Sequence, residues 1–223
     1  MMMFVDASQN FASLDAGAPD RVLVGDDHPV FRRALVDLVH QINAVAVIEE
    51  AGTFAELLSK ARSGMPPQTI LIDLLFPGLV LPDSIHALRN EFQRCSLIIV
   101  SMLNDDPTIR RVMAAGADGF ISKSVAPDAV AGAIAAILAG EFLVLRGADG
   151  VPQRIDHQSD LALTPRQKDV WRLVAKGKTN KEIGRELGIS PFTARLHVSA
   201  IMRVLDVKSR AAVAARAADL GFA

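Results

Sequence analysis

One cysteine, Cys95, is all the thiol chemistry this 223-residue chain carries. That excludes an intramolecular disulfide and fits a reducing compartment. Basic residues are missing from the start: none precedes Arg21, so the charged head of a secretory signal is absent. Long apolar runs are scarce as well. The longest, residues 129–140, is too short to span a bilayer and reads as a buried helix. These absences point to a soluble, cytoplasmic protein without membrane attachment. Net charge is also nearly absent, at −1, but that average conceals an asymmetry. From residue 161 onward 12 Lys and Arg face 5 Asp and Glu, leaving 12 basic and 20 acidic residues before it. An acidic front and a basic back indicate two jobs, the second on a polyanion. The length suits one large domain or two small ones, each with its own core.

The stretch at 69–78, Thr-Ile-Leu-Ile-Asp-Leu-Leu-Phe-Pro-Gly, organises what is present. Its apolar run reads as a strand buried on both faces of a parallel sheet. Asp73 stands at the end of that strand, before the turn at Pro77-Gly78, facing the crevice where open α/β sheets bind ligands. A capping role for a lone strand-end Asp is the plain alternative, and the rest of the chain decides between them.

Residues 1–20 show no periodicity and read as a disordered leader, with Phe4 and Phe11 as weak docking points. Strands are expected at 21–25, 44–48, 69–72, 97–100 and 119–122. Helices are expected between and after them: one from Pro29 with a stripe of Phe31, Leu35, Leu38 and Val39, one capped by Thr53 with Glu56 completing a capping box, and others at 83–92, 107–115 and 127–139. This alternation calls for an α/β fold with a doubly wound, five-stranded parallel sheet. Right-handed crossovers place every strand's C-terminal end on one edge. That edge collects Asp26, Asp27, Asp73, Ser101 and Lys123. Crowded carboxylates repel one another, and such a hard-oxygen pocket suits Mg²⁺, with Lys123 neutralising part of the charge. His28 beside the acids reads either as a ligand or as part of the following helix start.

Residues 143–160 form a linker without periodicity. After it comes an all-α unit, 161–223. Thr164, Pro165 and Gln167 start one helix, and Thr179 with Glu182 starts a short one that Gly188 stops. Ser190 and Pro191 start a third helix, and Ser209 begins an Ala-rich fourth. A short helix, a glycine turn and a longer helix make a helix-turn-helix. On the third helix Ala194, Val198, Ile201 and Leu205 share the core face, leaving Phe192, Leu196, Ser199 and Arg203 outward with Thr193 and Arg195 on the flanks. Large apolar residues on that outer face suit thymine methyls in a major groove, or packing against the first domain, or each in a different state.

The motifs Gly-Asp-Asp-His-Pro at 25–29, Ile-Asp-Leu-Leu-Phe-Pro-Gly at 72–78, Val-Ser-Met at 100–102 and Gly-Phe-Ile-Ser-Lys at 119–123 make residues 21–142 resemble the receiver domain of two-component response regulators. The resemblance implies a flavodoxin-like strand order 2-1-3-4-5 and phosphorylation of Asp73 by a sensor histidine kinase. It implies Mg²⁺ on Asp26, Asp27, Asp73 and the Leu75 carbonyl, phosphoryl contacts from Ser101 and Lys123, and Phe120 as the switch aromatic. The segment from Leu163-Thr164-Pro165-Arg166 through Asn180-Lys181-Glu182-Ile183 to Val207-Lys208-Ser209-Arg210 is similar to the LuxR-type DNA-binding domain, and the whole resembles the NarL/FixJ class. That similarity implies base contacts from Arg195, Leu196 and Ser199, with Arg203 on the same face, and phosphate contacts from Lys181, Thr193 and Lys208. It also implies homodimerisation on activation through Ala211, Val213, Ala214 and Ala217, on two half-sites of double-stranded promoter DNA.

Three departures from the pattern matter. Val80-Leu81 replaces the family's Asp-Gly, giving a greasy loop that touches a partner or simply packs. Related chains often carry Lys where Ser199 stands, so the operator cannot be borrowed from them. Leu75 cannot align an attacking water, which predicts slow loss of phosphate. Leu75 also removes the second carboxylate that an aspartyl-phosphate phosphohydrolase needs, so the chain is expected to be no enzyme. The expectation is a phosphorylation-gated transcription regulator. The alternative keeps the fold but places control with a partner or ligand on the first domain.

Overall fold

The computed structural model describes residues 19–147, 152–154 and 163–219. The proposed docking points Phe4 and Phe11 lie outside the described residues. Among those described, the first unit runs β1 (Arg21–Gly25), α1 (Pro29–Ile42), β2 (Val47–Ala51), α2 (Phe54–Arg62), β3 (Thr69–Ile72), α3 (Asp83–Glu91), β4 (Ser96–Ser101), α4 (Asp106–Ala114), β5 (Gly119–Ser122) and α5 (Pro127–Leu138). Two short strands follow, β6 (Leu143–Leu145) and β7 (Pro152–Arg154). The second unit is α6 (Pro165–Ala175), α7 (Asn180–Leu187), α8 (Pro191–Val204) and α9 (Arg210–Asp219).

The sheet order is β2-β1-β3-β4-β5-β6-β7. The first five strands are parallel in the expected order, and the sheet extends beyond them: β6 joins β5 in parallel and β7 returns antiparallel. β6 and β7 fall where a structureless linker was expected. β2 also begins three residues later than the 44–48 expected from its apolar run. It is the edge strand, so Glu49 and Glu50 are tolerated there and pair with Arg21 and Arg32. At α2 the capping box is half formed, for Glu56 accepts from Gly52 rather than from Thr53.

Both faces of the central strands are buried, as their unbroken apolar runs require. Leu23, Ile70, Ile72, Leu97 and Ile99 pack under α2, α3 and α4, while Val22, Val24, Leu71, Ile98 and Ile121 pack under α1 and α5. A separate core of Val170, Trp171, Ile183, Val198, Ile201 and Val213 holds the helical unit. Trp171 is fully buried and its Nε1 donates to the Val213 carbonyl at 2.8 Å. Gly184 sits where α7 crosses the start of α8, and a Cβ there would lie 2.6 Å from the Ile189 carbonyl oxygen. Among the described residues no helix is long and apolar enough to cross a membrane.

Candidate functional site

The C-terminal edge of the sheet carries a compact charged pocket. Backbone bonds that run past the strand ends fix its parts: Asp73 N–H donates to Gly25 at 2.9 Å and Lys123 N–H to Ser101 at 2.9 Å. The site residues therefore hold one another's strands in register. Asp26 is fully buried, Asp73 nearly so, and Lys123 Nζ bridges them at 2.7 Å and 2.5 Å. Lys123 also lies 4.5 Å from the centroid of the Phe31 ring, which flanks the ammonium with a second favourable surface. Asp27 is exposed and sits 2.8 Å from His28 Nδ1, while the remaining Asp26 oxygen accepts from the His28 backbone N–H. His28 thus serves both the helix start and the acidic cluster. Ligand atoms of Asp26, Asp27, His28 and Asp73 all lie within 4.8 Å of one another.

Three carboxylates that close, two of them buried and with Lys123 the only lysine or arginine bridging them among the described residues, form a donor set that fits a hard divalent ion. Ser101 is buried on the same edge and its Oγ accepts from the Leu103 N–H at 3.3 Å, at the start of the loop leading to α4. Phe120 is fully buried among the residues beneath α4. Leu75 is half exposed beside Asp73, whose Oδ1 accepts from its N–H. In the greasy loop the two residues part company: Leu81 packs on the core and Val80 stays exposed.

The helix-turn-helix face is divided by the receiver-like unit. Arg195, Ser199 and Lys208 are exposed, with the Arg195 guanidinium 5.6 Å from the Phe192 ring. Lys181 is half-buried. Leu196, by contrast, packs against the core beneath α1 and α5, Arg203 pairs with Glu141, and Thr193 is buried against Asp20. Asp20 was expected in a disordered leader and is instead 4% exposed. Two of the residues expected at a dimer surface need correction. Val213 and Ala217 are fully buried in the domain's own core, whereas Ala211 is exposed and Ala214 half-exposed. Small residues suit close helix packing in either setting, and here α6 claims them.

Two interdomain roles, those of Gln167 and His197, escaped the sequence reading. Gln167 Nε2 donates to the carbonyls of Ala139 and Gly140, capping the end of α5 from α6. His197 is buried at the same junction with Nδ1 unpartnered among the described residues, and burial pushes its imidazole down to about 4, so it is neutral there. Its spacing from Ala194 and Ile201 was the one available signal that it faces inward. Cys95 is buried, and desolvation pushes its thiol up, which leaves it inert.

Residues 22–135 match the family model described as response regulator receiver domain, and residues 161–217 match bacterial regulatory proteins, luxR family. LiaR, a transcriptional regulatory protein of Bacillus subtilis, is 33% identical over 196 residues, covering 85% of this chain and 92% of its own. The nitrate/nitrite response regulator protein homolog of Haemophilus influenzae is 31% identical, over 86% of this chain and 93% of its own. NarL of Escherichia coli K12 is 29% identical over 86% and 92%. Among solved structures, a LuxR-family two-component response regulator from Aurantimonas sp. SI85-9A1 superposes with a TM-score of 0.50 at 28% identity, covering 55% of this chain and 87% of that one. RcsB of Salmonella typhimurium, at a TM-score of 0.51, 22% identity and coverage of 90% and 98%, shares the fold.

Proposed function

This chain belongs to the DNA-binding response regulators, in which a receiver domain precedes a LuxR-type helix-turn-helix, and from that premise we propose that a phosphoryl group on Asp73 frees α8 for promoter DNA. Proteins of this family are transcription regulators rather than enzymes, and receiver domains typically bind Mg²⁺. The observation that carries the proposal is the pairing of buried Asp73 with Lys123 on the sheet edge, in a molecule whose recognition helix is partly covered. We assign residues 21–142 to the receiver, 143–160 to the linker and 161–223 to the DNA-binding domain.

The Asp73 carboxylate attacks the phosphorus of a kinase phosphohistidine, forming an O–P bond as the N–P bond breaks and the imidazole leaves. Mg²⁺ held by Asp26, Asp27, Asp73 and the Leu75 carbonyl would supply charge neutralisation for the phosphoryl oxygens. Lys123 then exchanges its Asp73 contact for a phosphoryl oxygen, and the Ser101 hydroxyl turns to donate to another. Because Ser101 Oγ also holds the Leu103 N–H, that turn pulls on the loop before α4. Buried Phe120, on β5 beside it, is the aromatic that repacks.

The signal must cross the sheet. The DNA-binding domain docks at the N-terminal edge, on Asp20 before β1 and on 139–141 after α5, about five strand residues or roughly 17 Å from Asp73. The linker offers a route: β6 is hydrogen-bonded to β5, and Arg146 just after it pairs with Asp106 at the start of α4. Movement of the α4–β5 face therefore pulls on the segment that leads to the second domain.

On α9, exposed Ala211 and half-exposed Ala214 are the residues we propose to meet a second copy on paired half-sites. The test of the reading is intact mass after incubation with a small phosphodonor and Mg²⁺. Addition of one phosphoryl group supports it, and an unchanged mass would leave control to a partner or ligand on the receiver. Leu75→Asn should shorten the phosphoryl lifetime severalfold, followed by decay of the added mass, since an amide there can align water. Decay at the parent rate counts against Leu75 as the brake. Arg195→Ala should weaken duplex binding and lower the salt slope by about one if Arg195 meets a phosphate, or relax sequence preference if it reads a base. No change in either removes it from the contact face.

A further inference from the structure

We propose that Asp20 stands in for a DNA backbone phosphate, latching the start of α8 to the receiver until the domains part; this rests on the reading of α8 as the DNA-binding helix. Ser190 is the N-cap of α8, and no acidic residue occupies its first turn. The anion at this helix end is supplied from 170 residues away. Asp20 Oδ1 accepts from the Ser190 N–H at 2.8 Å, and Oδ2 accepts from Ser190 Oγ at 2.6 Å and Thr193 Oγ1 at 2.6 Å. All three residues are buried.

The receiver prepares Asp20 for this role. Its backbone carbonyl accepts from Val47 N–H, and Asn43 Nδ2 donates to Oδ2 at 2.7 Å, so the carboxylate is held in place by its own domain. Among the described residues its hydrogen-bond donors are all neutral: a helix-terminal N–H, two hydroxyls and an amide. That is the donor chemistry by which proteins grip phosphate oxygens, and recognition helices approach DNA with their N-terminal residues. One set of donors serves one anion at a time. Asp20 and a phosphate therefore exclude each other, and the closed state masks an anion site as well as a surface.

The test is fluorescence anisotropy of the full chain on a labelled duplex of arbitrary sequence at low salt, with and without a small phosphodonor and Mg²⁺. Without phosphodonor, Asp20→Ala should bind roughly tenfold more tightly than the parent, as expected for removal of charge-assisted hydrogen bonds. Asp20→Asn, which keeps the shape and removes the charge, should move the same way. With phosphodonor, parent and variants should converge. Thr193→Val should weaken the phosphodonor-treated complex severalfold. If phosphodonor tightens the parent but neither Asp20 variant binds better at rest, the latch is wrong and the Asp73 gate stands. If the variants bind better and phosphodonor leaves the parent unchanged, the latch stands and the gate fails. Thr193→Val binding at parental strength in the treated state would overturn the shared-donor argument.

Discussion

Asp73→Asn takes up no phosphoryl group from a small phosphodonor and Mg²⁺, under conditions in which the parent gains one. The amide has no anionic oxygen to attack phosphorus, so the effect is all or none rather than graded. Nothing else in the pocket substitutes for it. Asp26 is fully buried, with one oxygen on Lys123 and the other on the His28 N–H, while exposed Asp27 lies against His28 rather than against Lys123. The substitution leaves the fold intact, because Lys123 keeps Asp26 and the crowding of carboxylates is relieved. An unchanged urea midpoint alongside the lost mass shift is the expected pair of readings. Phosphorylation of Asp73→Asn at the parental rate would move the acceptor elsewhere.

Lys123→Met should destabilise the resting protein by on the order of 3 kcal/mol, because removing one partner strands charges that are no longer solvated. The lysine side chain is 4% exposed and is the cation bridging Asp26 and Asp73, themselves 0% and 2% exposed. Linear hydrophobic bulk fills the space the lysine stem occupied, so packing loss is small and the electrostatic part dominates. Mg²⁺ then matters more to the variant than to the parent. Saturation at a hundredfold above its dissociation constant restores about 2.7 kcal/mol. Urea unfolding with and without Mg²⁺ measures both effects. A loss under about 1 kcal/mol with no dependence on Mg²⁺ would mean that the carboxylates are not the electrostatic burden described here.

Chemistry at strand ends was readable without coordinates. Asp26, Asp73, Ser101 and Lys123 close apolar runs, and a polar residue at such a boundary has one edge to occupy. The helix-turn-helix was equally plain, since Thr164, Thr179 and Ser190 do cap the helices that their positions announce. Three-residue strands such as β6 and β7 are too brief for periodicity to register, and β2 slid in the reading because an edge strand admits glutamates. The domain junction was invisible for a different reason. Asp20 finds Ser190, and Gln167 finds Ala139, only through tertiary structure, and no local pattern specifies a partner that far along the chain. Val213 and Ala217 show the same limit: periodicity marks a packing face but not what packs on it.

The most direct measurement is duplex affinity of the full chain against the fraction phosphorylated, read by intact mass on the same samples. Affinity should rise in step with the phosphorylated fraction in the parent and stay flat in Asp73→Asn. A parent fully phosphorylated at Asp73 that binds the duplex no more tightly than before would contradict it, since the pocket and the recognition helix would then be uncoupled.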